Sequence, residues 1–254
     1  MRIHSSPAPV AIFALGLCSL FVPAAAAQNA PLHVIVSNGA KTVVEELEPQ
    51  CERAIGHPLA IQYGTTASLK QKIEGGEAFD VAVLTSEAIG DLVKAGKAAG
   101  AVQIARCGIG VGVRAGTPKP DLGTPEAVKR MLHDARSIAY AGDGASRGYI
   151  DQMIEHLGLT ALLKPKTILT QGSVAAGEKV ASGEATLVMT LVSEVLPMKG
   201  VTLAGPLPAE LQNYVNFSVA AGVNAKNPES KKLISFLTGP AAAPVYKAKG
   251  MEPR

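Results

Sequence analysis

Four times along this chain a short apolar strand runs into a loop of small residues and then into a helix. That layout restricts the fold to mainly parallel sheets covered by helices, an α/β architecture. The first copy is 33-HVIVSNGAKTVVEEL-47, and the others are 61-IQYGTTASLKQKIEGG-76, 138-IAYAGDGASRGYIDQMIEHL-157 and 168-ILTQGSVAAGEKVASG-183. A loop of this kind leaves free backbone N–H groups at a helix N-terminus, where the aligned peptide dipoles also favour negative charge. Several such termini converging on one ligand would hold an anion.

The alternation reads as strand 33–37, helix 41–55, strand 59–63, helix 66–75, strand 80–84 and helix 86–96, then strand 137–141, helix 147–157, strand 166–170, helix 173–183 and strand 186–190. Two long Gly-punctuated strands, 104-IARCGIGVGVRAG-116 and 213-NYVNFSVAAGVNA-225, flank the second series. They predict that the chain crosses from one lobe to the other and later returns. Expected boundaries are lobe 1 over 28–108 plus 220–254 and lobe 2 over 109–219, with helices 228–238 and 240–249 on the first lobe. Thr124 and Pro125 have the residue types of an N-cap and first helical position. Ligands in such folds sit at the carboxyl ends of the strands, which here means the cleft between the lobes.

The N-terminus reads as a secretory signal peptide over 1–27. Arg2 precedes the apolar run 10-VAIFALGLCSLFV-22 and the small-residue segment 23-PAAAAQ-28, and the run is short for a membrane span of about 20 residues. Its removal takes away Arg2 and no acidic residue, leaving 23 basic against 21 acidic side chains. That balance points to no nucleic-acid partner. Cys51 lies on the inner register of a helix and Cys107 opens a strand, so both read as buried thiols, although an export compartment would allow them to pair. The sequence carries no Gly-x-Ser-x-Gly, His-Glu-x-x-His or Cys-x-x-Cys motif, and its histidines are scattered, so neither a metal site nor a cofactor is expected.

The runs 33–47, 65-TTASLKQKIEGGEAFDVAVLTSE-87, 180-VASGEATLVM-189 and 234-ISFLTGPAAAPVYKAKGMEP-253 resemble the periplasmic molybdate-binding-protein-like family of ABC-transporter solute-binding proteins. The family pattern of a Ser/Thr loop, a Leu, a Glu-x-Gly helix end and an Asp-initiated strand is matched by Thr66, Leu69, Glu74, Gly76 and Asp80. The resemblance implies a type II binding fold of two lobes joined by crossover strands. It further implies a periplasmic protein, a monomer, with an ABC permease as its possible partner and a small anion in its cleft.

The resemblance also nominates site residues. Asn38, Gly39 and Lys41 surround Ala40, which stands where the family has a serine, and Thr66, beside Thr65, keeps the second hydroxyl. Ser146 and Arg147 lie in the shortened loop 142–149, Ser173 falls at a backbone-contact position, and Leu191 replaces a tyrosine. These departures favour a di- or tricarboxylate, because a guanidinium at Arg147 would donate paired, charge-assisted hydrogen bonds to it. An ABC-transport receptor for such an anion is one expectation. Another is an aconitate isomerase built on the same scaffold, shifting a proton and a double bond with Lys41, Asp143 or Tyr149 as candidate acid or base. The third is a molybdate- or tungstate-type oxyanion binder.

Overall fold

The computed structural model describes residues 30–225 and 227–254, so the signal peptide expected over 1–27 lies outside the described residues. The first half of the sheet follows the predicted alternation closely. Strand β1 (Leu32–Ser37) leads through a single 3-10 turn at Asn38–Ala40 into α1 (Lys41–Ile55), then come β2 (Leu59–Gly64), α2 (Thr66–Glu74), β3 (Val81–Thr85) and α3 (Ser86–Lys94). Strands β2 and β3 pair in parallel on either side of β1. α1 forms because Val43, Val44, Leu47, Cys51 and Ile55 recur at helical spacing and are buried under the sheet, while Pro49 stays exposed. Each of those aliphatic side chains contributes about 1.5–3 kcal/mol by leaving water. Gly56, at φ 75°, ends the helix in the left-handed conformation that glycine adopts without strain.

Strand β4 (Ala98–Arg114) is the element that joins the two halves, and it begins earlier than the predicted 104. Ala98–Gly108 pair with β9 (Tyr214–Gly222), whereas Ile109–Val113 pair with β7 (Leu187–Leu191). Strand β8 (Val201–Pro206), which the sequence reading lacked, also pairs with this second portion. β9 lies alongside β3 and the first portion of β4 from Tyr214 onward, before the return point expected at 220. One strand therefore runs continuously through both halves, and the second crossing is made by the segment leading into β9.

Around β7 the second half repeats the layout of the first. α4 (Pro125–Asp134) is capped by Thr124, whose hydroxyl accepts from the Ala127 N–H. β5 (Ile138–Ala141), α5 (Arg147–His156), α6 (Thr160–Leu163), β6 (Thr167–Thr170) and α7 (Gly172–Ser182) follow, and β5 pairs in parallel with both β6 and β7. A four-residue helix, α8 (Val192–Val195), leaves β7 without an intervening loop. The C-terminal helices α9 (Glu229–Leu237) and α10 (Ala243–Ala248) pack on the core of the first half, and the short strand β10 (Glu252–Pro253) pairs with β4. The strand order is β2-β1-β3-β9-β4-β7-β5-β6.

Separate cores lie on each half: Val34, Val36, Leu47, Phe217 and Tyr246 on the first, and Ile109, Val128, Ile150 and Met189 on the second. Cys51 and Cys107 are free and buried. Burial is the main cause that pushes the Cys51 thiol up to about 12.

Candidate functional site

The loops at the carboxyl ends of the strands meet where the two halves face each other. In the first half, α1 begins with no side-chain cap, because its N-cap is Ala40, and its first backbone N–H groups have no local side-chain acceptor. α2 is capped by Thr65, whose hydroxyl accepts from the Ser68 N–H at 3.3 Å. Thr66 points elsewhere, donating its hydroxyl to Ser37 Oγ at 2.9 Å and linking the first two loops. In the second half neither α5 nor α7 is capped by its own N-cap side chain. Asp143 instead reaches from the β5–α5 loop to accept the Gly172 N–H at 2.9 Å.

Two cavities open between these loops. One, of about 280 Å³, is bounded by Thr66, Lys70, Ser86, Asp143, Tyr149 and Asn216, together with Glu87 and Asp91. Its lysine is committed to Asp91 at 2.7 Å, so the remaining wall is acidic. The other, of about 370 Å³, is lined by Asn38, Lys41, Ser173, Ser193 and Lys199 and by the carboxylates Glu45, Glu178 and Glu194. Lys41 stands 3.6 Å from Glu45 and 5.3 Å from the ring centre of Tyr63. The second cavity brings the uncapped start of α1 and two ammonium groups, features that favour an anion, to one space with the carboxylates Glu45, Glu178 and Glu194.

The residues expected from the sequence are thus divided. Asn38, Lys41 and Ser173 share the larger cavity, while Thr66, Asp143 and Tyr149 share the smaller one. Gly39 is buried against the Phe217 ring and Leu191, and Ser146 is buried 3.5 Å from Thr190 Oγ1. Burial, and secondarily Glu87, raises the Tyr149 hydroxyl above its ordinary pKa.

Arg147 departs from its expected place. Its Nε donates to Asp151 at 3.1 Å and its Nη1 to the Gly142 carbonyl at 2.9 Å, and it lines a separate cavity with Tyr140 and Asp151. The cause is local. Asp151 follows four residues later on the same face of α5, so the guanidinium is satisfied by its own helix and loop. The Tyr140 hydroxyl, donating to the same Asp151 at 2.7 Å, completes that cluster.

Several residues of the larger cavity escaped the sequence reading, chiefly Ser193, Glu194 and Lys199. Glu194 is the one acidic residue within the apolar run 187-LVMTLVSEVL-196, and that isolation was its only sequence signal. It accepts a short hydrogen bond from Thr190 Oγ1. Burial raises its pKa from the ordinary value, opposed by hydrogen bonds from Thr190 and Ser173, and Asp143 adds to the rise. Among the described residues no group of His, Cys, Asp and Glu is arranged to hold a metal ion.

A doubly wound pair of sheet halves with anion-facing helix termini in the intervening cleft is the architecture of type II periplasmic binding proteins. The model of the family described as bacterial extracellular solute-binding protein matches residues 32–252, and the chain belongs to that family. It is 29% identical over 233 residues to an aconitate isomerase from a Pseudomonas species, covering 87% of each chain. To the molybdate-binding protein ModA of Azotobacter vinelandii it is 26% identical over 235 residues, covering 89% of this chain and 92% of that one. Among solved structures, the periplasmic molybdate-binding protein of Azotobacter vinelandii superimposes with a TM-score of 0.71 at 20% identity, over 87% of this chain and 98% of the other.

Proposed function

We propose that the protein is an exported, monomeric receptor that holds a small di- or tricarboxylate in the larger interlobe cavity and hands it to an ABC permease. The observation that carries this reading is the cavity itself. At about 370 Å³ it lies within the roughly 300–1,000 Å³ range of small-molecule sites, and Lys41, Lys199, Ser173 and the uncapped start of α1 border it. A tetrahedral oxyanion would leave much of that space empty, and Ala40 and Leu191 offer it no hydroxyl where the family resemblance expects one. The cation once assigned to Arg147 is supplied in this reading by Lys41 and Lys199. Titration calorimetry with trans-aconitate, citrate, molybdate, tungstate and sulfate tests it. Tight binding of a carboxylate with none of the metal oxyanions supports it, and the reverse preference overturns it in favour of an oxyanion receptor.

A second reading is favoured by one specific observation, the relative named aconitate isomerase at 29% identity. An allylic proton shift needs a base to take a proton beside a carboxylate-bearing carbon and an acid to return one at the far end of the double bond. In this reading Glu194 in the larger cavity is a titratable group suited to such a transfer, with Lys41 there stabilising the charge that develops, whereas Asp143 and Tyr149 border the smaller cavity. Proton NMR of trans-aconitate with the protein in heavy water separates the readings. Appearance of cis-aconitate establishes the isomerase, and line broadening without conversion leaves the receptor.

A further inference from the structure

The larger cavity also has an apolar wall, which the reading of charges leaves unused. Besides its charged groups it is lined by Val174, Gly177, Pro197 and Met198, and more of its lining is apolar than polar. Val174 is 66% exposed, more than any other large apolar side chain among the described residues. Helical spacing sets its position. Ser173 and Gly177, four residues apart, form a buried row of α7, whereas Val174 and Glu178 form the next row and stay exposed. A Cβ at Gly177 would lie 2.6 Å from Met198 Sδ, so the bare glycine lets that thioether lie against α7. Lys199 follows Met198 directly and enters none of the ion pairs formed among the described residues.

An exposed valine in the first turn of a helix contributes nothing to the free protein through burial, because its apolar surface stays in water. It contributes once something covers it. The cavity it lines also holds Lys41 and Lys199, so the occupant that fits is one small molecule carrying both carboxylates and bare carbon. We propose that Val174, Pro197 and Met198 seat the hydrocarbon backbone of the ligand while Lys41 and Lys199 take its carboxylates, so that the site selects carboxylates without a backbone hydroxyl. This inference rests on the reading of that cavity as the ligand site and narrows its substrate class.

Citrate and tricarballylate differ only by the hydroxyl on the central carbon, and neither contains the double bond an isomerase would shift. Titration calorimetry with both, on wild type and on Val174→Thr, tests the inference, since threonine keeps the shape of valine and adds a hydroxyl. Wild type is expected to bind tricarballylate about ten- to hundredfold tighter than citrate, because a hydroxyl pressed on an apolar wall loses water and gains no partner. Val174→Thr supplies a partner and should narrow that ratio about two- to tenfold. Equal wild-type affinities, a preference for citrate, or a ratio unchanged in the variant overturns the inference while the carboxylate receptor stands. If closure of the two halves, rather than ligand, covers the wall, both ligands weaken alike in the variant and the ratio is unchanged.

If neither tricarboxylate binds, the proposed function fails for that class and the apolar wall is decided separately with butanoate, pentanoate and hexanoate. Wild-type affinity should then rise about fourfold with each added methylene, and less steeply in Val174→Thr. A flat series, or no binding, overturns the inference.

Discussion

Ser193 donates its hydroxyl to the carbonyl oxygen of Gly39 at 2.8 Å, a buried bond between residues 154 positions apart. It ties the start of α8 to the turn that launches α1, so the elements bordering both sides of the larger cavity are locked together. The Cys107 thiol lies against the same hydroxyl at 3.4 Å.

Ser193→Ala removes that donor and leaves the Gly39 carbonyl buried without its partner. The expected loss of stability is about 1–3 kcal/mol, the cost of an unsatisfied buried acceptor. Urea unfolding measures it, and a loss below about 0.5 kcal/mol would mean that water replaces the hydroxyl.

Gly39→Ala places a methyl group 2.5 Å from Phe217 Cζ and 2.8 Å from Leu191 Cδ1. Neither neighbour can retreat into empty space, because both are fully buried. Overpacking of this kind costs about 1–3 kcal/mol. Displacement of the turn should also weaken anion binding, which calorimetry on the folded variant would register.

Lys41→Ala and Arg147→Ala should differ. Lys41 borders the larger cavity, and loss of a charge-assisted contact there lowers affinity for trans-aconitate by about 1.5 kcal/mol, roughly tenfold. Arg147 is occupied by Asp151 and Gly142, so its removal should change affinity less than about twofold. The opposite ordering in calorimetric titrations would relocate the ligand toward α5.

Cys51, with its thiol pushed up to about 12, and Cys107, raised by burial, should both resist a thiol-reactive disulfide reagent at pH 8 while the protein is folded. Both should react once guanidinium exposes them. Rapid labelling of either in the native protein would contradict their burial.

Much of the fold was legible in advance because hydrophobic period and loop chemistry are local properties. α1 was readable from 41-KTVVEELEPQCERAI-55, whose buried positions recur at helical spacing, and α4 from the Thr124–Pro125 start. β8 and α8 were not, since 192-VSEV-195 is too short for a period to show and β8 is defined by its pairing with β4. The start of β4 was missed for a similar reason. Ala98–Gln103 are mostly exposed and owe their strand state to β9.

The candidate site divides along the same line. The alternation of strand and helix indicates which loops face the cleft, and the family resemblance nominated Asn38, Lys41, Thr66 and Ser173 on them; these residues and Asp143 border one or other of the two cavities. Where a long side chain turns after leaving its loop depends on competing partners nearby. Arg147 turned to Asp151, while Glu194, in a run that reads as buried core, came to the wall of the cavity. The sequence by itself determined the α/β layout and the position of the helix termini, because backbone hydrogen bonding and apolar periodicity act over a few residues. Only the tertiary structure decided which charges meet in the cleft, because that depends on distances between residues far apart in the chain.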